Sequence, residues 1–161
     1  MSKKVLATPL PDQLEIATHT VFSSMIPIPI ETKERKPVIS AASSCEMTAV
    51  LSYNGTKVGS FLITTSQDLA KRIAATLLMA DSPDEMSEED VSDALGEVLN
   101  MIGGNFKNYL VERGADMNLS TPTVTVGYTL PSSIPPESVA GFTLDFDLEG
   151  EPLSLTFYYV M

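Results

Sequence analysis

Two runs near the C-terminus alternate strictly between apolar and polar residues, and they constrain the fold more than any other feature. Phe142, Leu144, Phe146 and Leu148 fall on one side of a strand over residues 141–148, with Thr143, Asp145 and Asp147 on the other. Leu153, Leu155, Phe157 and Tyr159 repeat the pattern after Glu149-Gly150-Glu151-Pro152, which reads as a turn. A two-stranded ribbon with one apolar face is not stable alone, so another layer must cover that face. The chain has 161 residues. At that length one domain buries roughly 70% of the surface its unfolded chain exposes and needs no disulfide or metal to hold a core, so residues 1–161 are read as a single domain.

The remaining elements supply the second layer. Leu14, Ile16, Ala17, Val21, Phe22, Met25 and Ile26 recur at near-helical spacing between Pro11 and Pro27, which predicts a helix over 12–26. The stretch holding Pro27, Pro29 and Pro37 reads as loop or edge strand. Met47, Ala49, Leu51 and Tyr53 alternate up to Asn54-Gly55, a dipeptide suited to a two-residue hairpin turn, with a return strand over 58–63. Ser66 can cap a short helix that runs to Met79. Ser87 opens the longest helix, which runs to about Arg113 and stops at Gly114, and a further strand is predicted over 123–128. Hairpins with long amphipathic helices and no regular βαβ alternation indicate an α+β fold of two layers, with helices on one face of a largely antiparallel sheet. A helix followed by strands occurs twice along the chain, without a residue-level repeat.

At about 100° per residue, the long helix places Val91, Ala94, Leu95, Val98, Leu99, Ile102, Phe106, Tyr109 and Leu110 on one core stripe. The opposite stripe carries Asp93, Gly96, Glu97, Asn100, Gly103, Gly104 and Lys107. Each interior glycine costs about 0.8–1 kcal/mol relative to alanine, so three of them on a nominally exposed face need a reason. Two remain open: close packing against the short helix of residues 66–79, or admission of another protein's surface beside Glu97 and Asn100, which project together three residues apart.

The segment Asp93-Ala-Leu-Gly-Glu97-Val-Leu-Asn100-Met-Ile-Gly-Gly-Asn105-Phe-Lys107 resembles the signature helix of the CheX-like phosphatases in the CheC, CheX and FliY group of chemotaxis proteins. The resemblance implies hydrolysis of the phosphoaspartate on a response-regulator receiver domain such as CheY. Asn100 would orient the attacking water, and Glu97 would pair with the regulator's active-site lysine. Asp93, Gly96, Gly103, Gly104 and Lys107 would border the partner. Mg²⁺ would be held by the regulator, so no cofactor or metal is expected on this chain. Some members carry the motif on two helices. Here Glu15-Ile-Ala-Thr18-His19 lacks a Glu-x-x-Asn, so one active face is expected, as in the CheX type, whose members tend to form homodimers through their sheets. A non-catalytic module that docks a regulator or a flagellar switch component is the alternative reading.

Charge and the other motifs narrow the field. A net charge of −11 disfavours nucleic acid and anionic membranes, whose binding rests on Lys and Arg. Met1–Pro9 holds no secretory apolar region, no run approaches the ~18 apolar residues of a membrane helix, and Cys45 is the only cysteine, so a cytoplasmic location is expected. Residues 114–161 contain no Lys or Arg, which leaves the chain poorly equipped to hold a phosphoryl group itself. His19 and Glu15 make only half a metal site. Asp145-x-Asp147-x-Glu149-Gly150 begins like a calcium loop but has Thr156 where the bidentate Glu belongs, and reads better as the polar face of a strand.

Overall fold

A computed structural model of the chain describes residues 10–37, 46–126 and 138–161; Cys45 and the end of the strand expected over 123–128 lie outside them. In chain order the elements are α1 (Leu10–Met25), β1 (Glu31–Pro37), β2 (Met47–Gly55), β3 (Gly59–Thr65), α2 (Gln67–Leu77), α3 (Glu88–Val111), β4 (Met117–Leu119), β5 (Thr123–Val126), β6 (Val139–Leu148) and β7 (Glu151–Val160). The strands form one antiparallel sheet in the order β1-β6-β7-β3-β2-β4, with β5 also pairing to β2. The α+β reading therefore holds, and the proline-rich stretch ends in the edge strand β1.

The strand order has an internal two-fold logic. Exchanging β1 with β5, β2 with β6 and β3 with β7 returns the same order, with the β3–β7 pair at the centre. α1 precedes the first set of strands and α3 the second, while α2 joins the halves. The repeated helix-then-strands pattern is thus a topological repeat that the side chains no longer display.

Apolar alternation does what it predicts. Phe142 packs partly buried, and Leu144, Phe146, Leu148, Leu153, Leu155 and Phe157 enter the core beneath the helices. Phe61, Phe106 and Phe157 meet edge-on or tilted with ring centroids 5.2–5.8 Å apart, which ties α3 to the centre of the sheet. The Tyr53 hydroxyl donates to the Tyr158 carbonyl at 2.8 Å, and burial pushes its pKa well above that of a free phenol. Polar pairs line the other face of the sheet: Ser52 with Ser60 at 3.1 Å, Thr143 with Thr156 at 2.8 Å, and Ser154 donating to Asp145 at 2.6 Å.

The two hairpins use their turns differently. Glu149 and Gly150 both have positive φ, 53° and 91°, as a two-residue hairpin loop requires. Asn54-Gly55 is not such a turn: Tyr53 pairs with Gly59, so residues 54–58 form the loop, and Asn54 and Gly55 continue outward to pair with Asn118 and Met117 of β4. A neighbouring strand that the sequence did not reveal claims the backbone of this dipeptide.

Candidate functional site

The site is built on α3. Ser87 caps it with a reciprocal pair of bonds, its hydroxyl accepting from the Asp90 N–H at 3.0 Å while the Asp90 carboxylate accepts from the Ser87 N–H at 3.1 Å. Glu88, Glu89 and Asp90 crowd the first turn, where the helix dipole favours acids. Val91, Ala94, Leu95, Val98, Leu99, Ile102, Phe106 and Leu110 are buried as predicted, and this long apolar face fixes the helix rotation.

That rotation leaves Glu97 and Asp93 exposed and Asn100, Gly104 and Lys107 half-buried. Among the described residues, neither Glu97 nor Asn100 has a hydrogen-bonding or ionic partner within the chain, so the carboxylate and the amide are both available to another molecule. Asn100 opens onto a groove of about 580 Å³ between α3 and α1, whose α1 wall is Thr20, Val21, Ser24 and Met25.

Two of the three glycines do not lie on the open face. Gly96 is buried against Pro122 and Val124 of the β5 side, and a Cβ at Gly103 would sit 2.6 Å from Leu51 Cδ2 of β2. They let α3 approach the sheet closely, a cause different from both packing on α2 and contact with a partner. Gly104 alone has open space where its Cβ would be.

The remaining candidate groups are engaged elsewhere. Thr32 of β1 donates to Glu15 at 2.7 Å and lies 3.0 Å from His19 Nε2; Arg35 binds both Asp12 and Glu15. The Thr32 hydroxyl, followed by Arg35, holds the Glu15 carboxyl below the usual carboxylate range against the opposing effect of burial. Asp145 binds Lys36 at 2.6 Å, Asp147 accepts from the Gly150 N–H at 3.0 Å, and Glu149 faces Arg72 at 3.3 Å, so these acids serve the sheet and its turn. Among the described residues no three of His, Cys, Asp and Glu gather into a metal-binding set. No helix among them is long and apolar enough to cross a membrane.

Residues 47–147, which include α3 and most of the sheet, match the family model described as "Chemotaxis phosphatase CheX". The chain belongs to the CheX family. No curated protein matches it. Solved structures similar to it include the chemotaxis protein CheX from Desulfovibrio desulfuricans, at 24% identity over 94% of this chain and 99% of that one with a TM-score of 0.80. CheX from Vibrio vulnificus aligns at 21% identity over 94% and 99% with a TM-score of 0.79. A CheX–CheY–BeF3–Mg²⁺ complex from Borrelia burgdorferi aligns at 21% identity over 94% and 98% with a TM-score of 0.78. At these identities the likeness is one of fold.

Within this CheX fold the α1 wall of the groove is what sequence reasoning missed. The one available signal was Met25, which the helical pattern grouped with the core but which is 49% exposed at the end of α1. Only the packing of α1 against α3 brings it near Asn100.

Proposed function

We propose that this CheX-family protein hydrolyses the phosphoaspartate of a CheY-like receiver domain, with Asn100 orienting the attacking water and Glu97 pairing with the regulator's lysine. The observation that carries the reading is the placement of Glu97 and Asn100: one turn apart on a capped helix with a buried apolar face, without partners among the described residues, Glu97 exposed and Asn100 lining a groove.

The chemistry asks little else of the chain. Water attacks phosphorus in line, the phosphorus–oxygen bond to the aspartyl carboxyl breaks, and the products are a free aspartate and inorganic phosphate. An acyl phosphate is already reactive and its transition state is loose, so positioning the water provides much of the acceleration and an amide suffices for it. Mg²⁺ belongs to the regulator in this reading, as does the lysine. Asp93, Gly104 and Lys107 border the docked partner, while Gly96 and Gly103 set the height of α3 above the sheet. The same reading has a cytoplasmic chain that pairs as a homodimer through its sheet. β1 is the poorer edge for that pairing, since it carries charge from Glu31 to Lys36, a register shift between Thr32 and Glu34, and Pro37.

The test follows phosphate release from a phosphorylated receiver domain of the source organism at substoichiometric protein. Asn100→Ala is expected to lower kcat on the order of 10²-fold while the complex still forms. Glu97→Gln is expected to weaken binding at least about tenfold, since it removes one partner of a charge pair that docking buries. Full activity in Asn100→Ala would overturn the assignment. A complex that forms without any gain in phosphate release would indicate the non-catalytic docking module instead.

A further inference from the structure

We propose that the groove between α1 and α3 is a second docking subsite for the receiver domain, one that seats an acidic side chain at Lys107 beside an apolar side chain over Met25. This deepens the phosphatase reading and rests on it for the identity of the partner.

Three observations carry the proposal. The groove, about 580 Å³, includes Asn100 in its lining, so whatever fills it must also cover Asn100. Its occupant is therefore the molecule on which Asn100 acts. Second, Lys107 lines the same groove half-buried, and among the described residues it forms no ion pair, although the chain carries a net charge of −11. Arg35, Lys36 and Arg72 are by contrast each matched to carboxylates across elements. A lysine whose stem packs along the groove and whose ammonium has no carboxylate partner gains when a docked surface supplies an anion. Third, Met25 of α1 faces the groove at 49% exposure, with Met101 and Leu119 also in its lining. Met adapts its shape to an incoming apolar group.

The layout fixes orientation. Glu97 and Lys107 are ten residues apart, so opposite charges lie about 15 Å apart along α3 with Asn100 between them. A receiver domain that presents its lysine to Glu97 and an acid to Lys107 is held in one register; turned end for end, it meets like charges at both places.

Binding is measured by titrating a receiver domain of the source organism, loaded with beryllofluoride and Mg²⁺, with the full chain. Its hydrolysis is followed separately on the phosphorylated form. Lys107→Glu is expected to weaken binding about three- to tenfold. Ser24→Trp, which fills the groove from an exposed position without adding charge, is expected to weaken it further, with thermal unfolding showing that both variants fold. For Lys107→Glu, KM should rise by the same factor as the dissociation constant, with kcat held within about twofold. One acid-to-lysine exchange on the receiver surface should restore its binding. Unchanged affinity in both variants, a fall in kcat at constant KM, or failure of every exchange to restore binding would overturn the subsite. If the wild-type chain binds the loaded domain without hydrolysing the phosphorylated one, the phosphatase reading fails while the affinities still judge the subsite. If it binds no receiver domain, the subsite falls with it.

Discussion

At the scale of single residues, adjacent glycines on α3 do opposite work. A methyl at Gly104 meets nothing within 4 Å, so Gly104→Ala should return the helix-propensity cost of about 0.8–1 kcal/mol and raise the melting temperature by about 2–4 °C. A methyl at Gly103 would press to 2.6 Å from Leu51 Cδ2, in a core where Leu51 is fully buried, and overpacking there costs about 1–3 kcal/mol. Gly103→Ala should therefore be neutral to destabilising. Denaturant unfolding of the two variants side by side reads the contrast, and equal gains would mean that α3 is free to lift from the sheet. Grouping both glycines on the open stripe is too coarse. They sit about 100° apart on the helix wheel, with Gly103 at the edge of the core stripe within about 60° of Leu99, Phe106 and Leu110 and Gly104 opposite that stripe; what the wheel does not carry is how closely Leu51 of β2 approaches Gly103.

At the scale of elements, what was legible depended on whether the signal was local. The span of α3 was readable from its cap and its stripe, and the β6–β7 hairpin from strict alternation, because both sets of forces act within one element or between neighbours in sequence. Asn54-Gly55 misled because its local preference competes with pairing to β4, a three-residue strand too short to announce itself. The Glu97 and Asn100 pair was legible as a motif, but the groove beside it was not, since α1 and α3 lie some 75 residues apart along the chain and nothing local encodes their contact. The pairing with β4 also gives Gly55 its own role: φ is +137°, and a Cβ would lie 2.3 Å from the Asp116 carbonyl oxygen. Gly55→Ala is expected to cost more than about 2 kcal/mol through backbone strain and loss of β4 pairing, visible as a lowered denaturant midpoint. A midpoint within experimental error of wild type would show that β4 contributes nothing to holding this loop.

At the scale of the whole molecule, α1 is held over one end of the sheet by charge as well as by its core face. The Thr32 hydroxyl spends its proton on Glu15, so it must accept from His19 Nε2–H, and Arg35 closes the set onto Asp12 and Glu15. Because α1 also forms the wall facing Asn100, this tie and the groove share one helix. Its stability contribution is pH-dependent, and the sign follows from Glu15. Folding lowers the carboxyl's pKa, so the folded state binds fewer protons than the unfolded one there; the stabilisation is complete above the usual carboxylate range and is lost as pH falls through the depressed value. Thr32→Val removes the largest cause of the depression. It should lower stability at neutral pH by about 1 kcal/mol, a charge-assisted bond discounted for partial exposure, and the deficit should shrink as the pH falls and Glu15 takes up its proton in both proteins. Urea midpoints of the two proteins from neutral pH down to the acid limb measure it. Curves that stay parallel throughout would mean that the Thr32 bond does not distinguish the charged carboxylate from the neutral acid, leaving Arg35 as the charged tie between β1 and α1.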